Sequence, residues 1–322
     1  GAYSTNSSNA PYGDFREPKD FGTGGRNGSS VYSLGGGALE LTTSTLTLNG
    51  VIRSNGQTLY GYGSGSGGSL LLRVGTLALG EAAKIEANGG GGTGYFFGGG
   101  GGGRVAVYYA TLSSGSLAAQ VSARGGRTGN SSSEPGAAGS IYLKNSGSGA
   151  EQVLFDNTGI PLTAKPALLN LSTGPSYSGN VLWSNVVGQV VASATGGVDA
   201  QLVVDGATLM LSGQHTYKSV NLRNSAILTT PVEVALSLTA DTVDVDASSR
   251  IDLSDKGKNG SAVNGYAGGS YGGPGGAYST NSSNAPYGDF REPKDFGTGG
   301  RNGSSVYSLG GGALELTTST LT

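Results

Sequence analysis

GALELTTSTLTLNGVIRSNG (37–56) and GSLLLRVGTLALGEAAKIEANG (68–89) are one phrase written twice. In each, a glycine is followed by apolar residues at alternating positions, Leu39 with Leu41 and Leu70 with Leu72. Seven residues after the first apolar position a second pair follows, Leu46 with Leu48 and Leu77 with Leu79. A third, Ile52 with Ser54 or Ile85 with Ala87, runs into Asn55-Gly56 or Asn88-Gly89. Period-two alternation marks a strand with one buried face, so the phrase predicts three short strands separated by turns.

Outward from these copies the phrase continues. Gly103 precedes Val105 and Val107, Gly139 precedes Ile141 and Leu143, and the spacings from Gly37 onward are 31, 35 and 36 residues. Val121 and Ala123 before Arg124-Gly125 supply another third strand. The later half keeps the alternation at Leu202 with Val204, Leu209 with Leu211, Val220 with Leu222, Leu236 with Leu238, Val243 with Val245 and Ile251 with Leu253. Between them, in Ser146 to Gly197, the pattern is irregular. Pro161, Pro166 and Pro175, with Pro135 shortly before them, argue against continuous strands there, and Pro231 marks a later corner. Helical periodicity is nearly absent. A two-sheet sandwich also uses short alternating strands, but it has no reason to repeat a phrase in phase, and a solenoid does. The expected fold is therefore all-β, a right-handed parallel β-helix (β-solenoid). Leu39, Leu70, Val105 and Ile141 would form one inward column, and Ile52, Ile85 and Val121 another.

Glycine supplies 62 of the 322 residues, in tracts from Gly61 to Gly68, Gly89 to Gly103, Gly125 to Gly139 and Gly257 to Gly276. These directly follow third strands, which predicts glycine-rich loops stacked on one flank. Such tracts commonly form flexible linkers. Tyr60, Tyr62, Tyr95, Phe96, Phe97, Tyr266, Tyr271, Tyr278, Tyr287, Phe290, Phe296 and Tyr307 sit in or beside them, however, and favour packed loops that bury rings against glycine backbones. Extended, polyproline-II-like segments side by side are expected, with glycine needed for close approach and positive φ.

Residues 1–47 recur unchanged at 276–322, a period of 275 residues. The layout is then a junction loop (1–37), a β-helix module with glycine-rich insertions (38–275) and a second junction with the first strands of the next module (276–322). Either a covalent tandem array or a filament of subunits produces this pattern, with any secretion signal upstream. The loop from Gly257 to Gly312 would cover the seam between modules.

The chemistry-bearing residues are few. There is no cysteine, one histidine, and a net charge of −2, which argues against a nucleic-acid partner. No apolar run approaches the roughly 18–20 residues of a membrane span. His215, expected in the turn between Leu211 and Val220, cannot alone build a metal site or a Ser-His-Asp triad, and the glycine runs lack the Lys-Ser/Thr of a phosphate loop. No catalytic residue, cofactor or metal ligand is assigned. The candidates for holding Ca²⁺ are Asp244, Asp246 and Asp252, with Asp241, Asp255, Arg250 and Lys256 nearby; outward carboxylates on a solenoid are more often solvated surface. Asp14, Arg16, Glu17, Lys19 and Asp20 read as ion pairs within the junction loop. Trp183 and the tyrosines are the residues that could contact sugar. Sequons at Asn6, Asn27, Asn130, Asn170 and Asn259 are places where glycans could attach, although a serine-rich chain also produces such triplets by chance.

In the G-x-Φ-x-Φ phrase (Φ apolar) and in Ile85-Glu86-Ala87-Asn88-Gly89-Gly90, the chain resembles the glycine-rich parallel β-helix repeats of large bacterial surface proteins, including adhesins of the filamentous haemagglutinin and autotransporter type. The resemblance covers Gly35 to Lys144 and Val198 to Gly260. It implies an extracellular or cell-surface location and structural or adhesive work without catalysis. The leading expectation is a structural module of an extended fibre that associates end to end. The alternative is an adhesin stalk whose aromatic glycine-rich loops contact carbohydrate or cell surfaces, and a polysaccharide-degrading β-helix ranks third.

Overall fold

The computed structural model describes residues 12–26, 32–61, 63–92, 98–129, 133–163, 166–171, 177–191, 194–260, 266–278, 283–302 and 306–322. The fold is all-β with mostly parallel sheets, and the α-helix among the described residues is the four-residue Leu117–Gln120. Two compact units form. The first comprises Gly1–Leu169, Ser178–Gln189 and Leu202–Thr208; the second comprises Asn170–Tyr177, Val190–Gln201 and Leu209–Thr322.

In the first unit the expected columns are present. The long strands Ala38–Leu48, Ser69–Leu79, Arg104–Ser114 and Ser140–Asn145 pair in parallel in that order. Leu39 lies opposite Leu70, Leu70 opposite Val105, and Val105 opposite Ile141. The short strands Val51–Arg53, Lys84–Glu86 and Val121–Ser122 form a second parallel sheet with Ile52, Ile85 and Val121 in register. Both sets feed one apolar cluster. Each fully buried Leu contributes about 1.5–3 kcal/mol.

The phrase carries two paired strands rather than three. Leu70, Leu72 and Val74, then Leu77 and Leu79, are buried along one continuous strand, because the alternation slips by one residue at a bend. The pairing skips Ser44 opposite Gly75, where a methyl group would stand 2.5 Å from Ser44 O. In the second unit Gly213–Arg223, Leu236–Val245 and Leu314–Leu321 pair in parallel, and the pairing skips Lys218, Asp241 and Ser319 in the same way.

The proline-bearing stretch also carries strands, Glu151–Asp156, Ala167–Asn170, Asn180–Ser184 and Val187–Val191. The prolines fall between strands and so cost no ladder bonds. Glu151–Asp156 folds back antiparallel on Ser140–Asn145, then pairs in parallel with Asn180–Ser184.

The described parts of the glycine tracts are tied together through their backbones. Gly65 N donates to Gln57 O, Gly90 N to Gly65 O, Gly100 N to Gly90 O, Gly126 N to Gly100 O and Gly136 N to Gly126 O, all at 2.8–3.0 Å. Bonds from Gly56 N to Asn88 O and Gly89 N to Arg124 O join the outgoing segments, and Gly67 N to Gly101 O and Gly102 N to Ala137 O join the returning ones. Asparagine reinforces the stack: Asn55 Oδ1 accepts from Asn88 N and Asn88 Oδ1 from Arg124 N. None of these glycines has a positive φ, so close approach alone requires them. A methyl group on Gly100 would overlap Gly65 O, and one on Gly126 would overlap Gly90 O. The rings do not fill the glycine layers as expected. Tyr60, Tyr266, Tyr278, Phe290 and Tyr307 are exposed, Tyr271, Tyr287 and Phe296 are half-buried, and Tyr62, Tyr95, Phe96 and Phe97 lie outside the described residues.

Gly126→Ala is expected to destabilise the protein by about 1–3 kcal/mol, the cost of overpacking. Gly37→Ala, where a methyl group meets open space, is expected to be neutral or slightly stabilising. Urea unfolding of both variants checks the contrast.

Candidate functional site

The acidic candidates serve their own turns. Asp246 Oδ2 accepts from Asn224 N at 2.7 Å, and Oδ1 accepts from Ser248 N at 2.9 Å and Ser248 Oγ at 2.8 Å. Ser225 N and Ala226 N donate to Ser248 Oγ and Ser249 Oγ. The group thereby caps a turn whose residues Asn224 and Ser225 are left-handed. Hydrogen bonds from Ser249, Asn224 and Ser248 hold its carboxyl well below the usual carboxylate range. Asp252 accepts from Ser254 N and from Arg250 Nε, and Asp244 from Thr322 Oγ1. Among the described residues no three His, Asp or Glu side chains converge as a metal-ligand set.

His215 is not in a turn. It lies on Gly213–Arg223 opposite Leu238, is 2% exposed, and its Nε2 is 2.9 Å from Ser212 O. Burial pushes its pKa down. Trp183 is buried and stacked on Phe155 with ring centroids 4.1 Å apart, so it has no face to offer a sugar. Asn259 is exposed, while Asn6, Asn27 and Asn130 lie outside the described residues. No helix among the described residues is long and apolar enough to cross a membrane.

The built surface is the outward face of Ser69–Leu79, Arg104–Ser114 and Ser140–Asn145, where residues 12–20 dock. Leu71, Ala106 and Tyr142 are in register on this face and are buried although they point away from the core. Phe15 meets Tyr142 edge-on at 5.6 Å, and Tyr108 meets Tyr142 at 5.5 Å. Arg73 Nη1 donates to Glu40 Oε1 at 2.6 Å and Nη2 to Glu17 Oε1 at 2.7 Å, with Lys19 3.8 Å from both carboxylates. The charged cluster thus pairs with the strands beneath as well as within itself. Arg104 Nε donates to Tyr12 O and Nη1 to Ser140 Oγ, both at 2.9 Å. Tyr108 Oη donates to Arg16 O at 3.1 Å, and burial with Glu17 alongside pushes its pKa up to about 12. Arg73, Arg104, Tyr108 and Tyr142 escaped the sequence reading. Their signal was the loss of alternation in Leu70-Leu71-Leu72 and Val105-Ala106-Val107, the mark of strands buried on both faces.

The second copy of the same residues lacks this cover. Phe290 is 84% exposed where Phe15 is 5%, and Glu292 pairs with Lys294 at 3.4 Å, both side chains well exposed. The class these features define is an all-β protein of mostly parallel sheets with a duplicated docking segment. Comparison with family models, curated proteins and solved structures returned no match to the chain.

Two outcomes are expected. Phe15→Ala should cost about 3–5 kcal/mol and Phe290→Ala less than about 0.5 kcal/mol, compared by chemical unfolding. His215 titrates at a lower pH folded than unfolded, so the native state binds fewer protons. Its contribution is full above about pH 6.5 and is lost as pH falls from there towards the folded pKa. Urea midpoints measured from pH 5 to 8 should show this slope in the wild type and a flatter one in His215→Gln.

Proposed function

We propose that the chain is a structural module of an extended extracellular fibre, a right-handed parallel β-helix whose 275-residue periods join end to end. One observation carries this reading: a single strand sequence accepts parallel neighbours before and after it. As Ala38–Leu48 it pairs with the following Ser69–Leu79 through Leu39 and Leu70. As Leu314–Leu321 it pairs with the preceding Leu236–Val245 through Leu314 and Leu236. Such a strand carries the ladder from one period into the next without an open edge. The right hand follows from the handedness of parallel crossovers between twisted strands. Stability without cysteine rests on axial hydrogen bonds and the apolar columns.

The adhesive reading draws on Tyr266 and Tyr278, exposed rings with centroids 6.0 Å apart, which offer a surface to carbohydrate or cells. A degradative enzyme has less support, since Asp244, Asp246 and Asp252 are occupied by their own neighbours.

Chains carrying one, two and four periods, imaged by electron microscopy, are expected to be rods that lengthen by a constant roughly 40–50 Å per period, for about eight to ten turns at the inter-strand spacing. Globular particles without a constant increment would refute the fibre.

A further inference from the structure

Residues 12–47 and 287–322 share one sequence and, where both copies are described, the same internal bonds. Tyr12 Oη donates to Phe21 O, and Tyr287 Oη to Phe296 O. Asp14 accepts from Arg16 N, and Asp289 from Arg291 N. Arg26 pairs with Tyr32 as Arg301 does with Tyr307. The segment therefore adopts its shape with or without the docking face.

The surroundings of the copies differ in three matched places. Phe15 is covered and Phe290 is bare. A methyl group on Gly36 would overlap Ser54 O and Gly68 N, whereas one on Gly311 would meet open space. The first copy receives Ser66 beside Thr23 and Gly36; in the second, Ser270 already bonds Thr298, and Gly311 lines an open groove of about 350 Å³. The third place is a strand edge. Gly37 O accepts from Ser69 N, and Ala313 O, the copy of Ala38 O, accepts from Leu236 N. Successive carbonyls point to opposite edges of a strand, so the copies have used opposite edges.

We propose that these are two halves of one joint and that the partner of residues 276–322 is a second copy of this chain. The segment takes the seat that residues 12–26 and 32–47 occupy on the strands from Ser69 to Asn145. This rests on the fibre reading and names its contacts. Phe290 packs on Tyr142 of the second copy, Glu292 and Glu315 take its Arg73, Tyr287 O receives its Arg104, and its Ser54 and Gly68 close over Gly311. The seat already fits this sequence residue by residue in the first unit, which singles out a copy of the chain over an unrelated protein. Exchange of identical elements breaks and remakes the same contacts, so concentration decides between closed and joined forms.

The test uses the full chain, refolded at low and at high concentration and sized by sedimentation. Phe15→Ala weakens the chain's own segment and spares the second copy, so the oligomer-to-monomer ratio should rise at least about tenfold over wild type, equivalent to about 1.4 kcal/mol or more. Adding Phe290→Ala should restore the monomer. Glu17→Lys with and without Glu292→Lys repeats the comparison should Phe15→Ala fail to fold. Monomer at every concentration in Phe15→Ala or Glu17→Lys, or oligomers that persist without Phe290 and Glu292, would overturn the joint. Rods that still lengthen with covalent period number would then leave the fibre standing, whereas a joint without lengthening rods would overturn the fibre alone.

Discussion

Backbone hydrogen bonding between one phrase and the next is the constraint on which this structure depends. It holds the leucine-bearing strands, where Leu39, Leu70, Val105 and Ile141 follow one another in register, and it holds segments that have almost no side chains. A phrase taken alone has neither a partner for its amides nor a covered apolar face, so stability belongs to the stack. Side chains that bridge phrases keep the same direction. Asn55 and Asn88 each accept from a backbone amide one phrase on, and Arg53 reaches Glu86 at 2.8 Å.

The glycine layers could not stand on those bonds alone. Ordering a residue's backbone costs about 1–2 kcal/mol, a net hydrogen bond returns about 0.5–1.5 kcal/mol, and glycine has the most conformational freedom to lose. The deficit is met by the strands. Gly68 N, Gly103 N and Gly139 N donate to Ser54 O, Ala87 O and Ala123 O at 2.7–2.8 Å, which ties the start of each long strand to the end of a short one. The buried leucines thus hold the glycine segments at a spacing that a methyl group would prevent.

Much of this was legible in the sequence because period and phase survive in it. The columns through Leu39 and Ile52 follow from counting residues between glycines. The bend at Ser44 and Gly75 was not legible: a strand that turns without breaking its ladder needs no turn residue, and the slip in alternation imitates two strands. His215 was misplaced for a related reason. Its polarity suggested a turn, yet the strand accommodates it beside Ser212 O, and burial favours the uncharged ring. The glycine tracts were read correctly as close-packed, whereas the positive φ also expected there occurs at Gly61 and at none of the stacked glycines, since composition does not distinguish those two uses of glycine. The docking face was hidden because Arg73 and Tyr108 occupy ordinary outward positions, and only the uninterrupted Leu70-Leu71-Leu72 and Val105-Ala106-Val107 betrayed a second cover.

The duplicated segment separates what a sequence determines by itself from what its neighbours add. The tyrosine bond to Phe21 O or Phe296 O and the aspartate turn at Asp14 or Asp289 occur in both copies, so they belong to the segment. Burial of the phenylalanine occurs in one copy alone, so it belongs to the face beneath. A segment whose shape is set internally loses little further conformational freedom on docking. Its mixed charges, Asp14, Arg16, Glu17, Lys19 and Asp20, keep it soluble when bare and supply partners for Arg73 and Arg104 when covered.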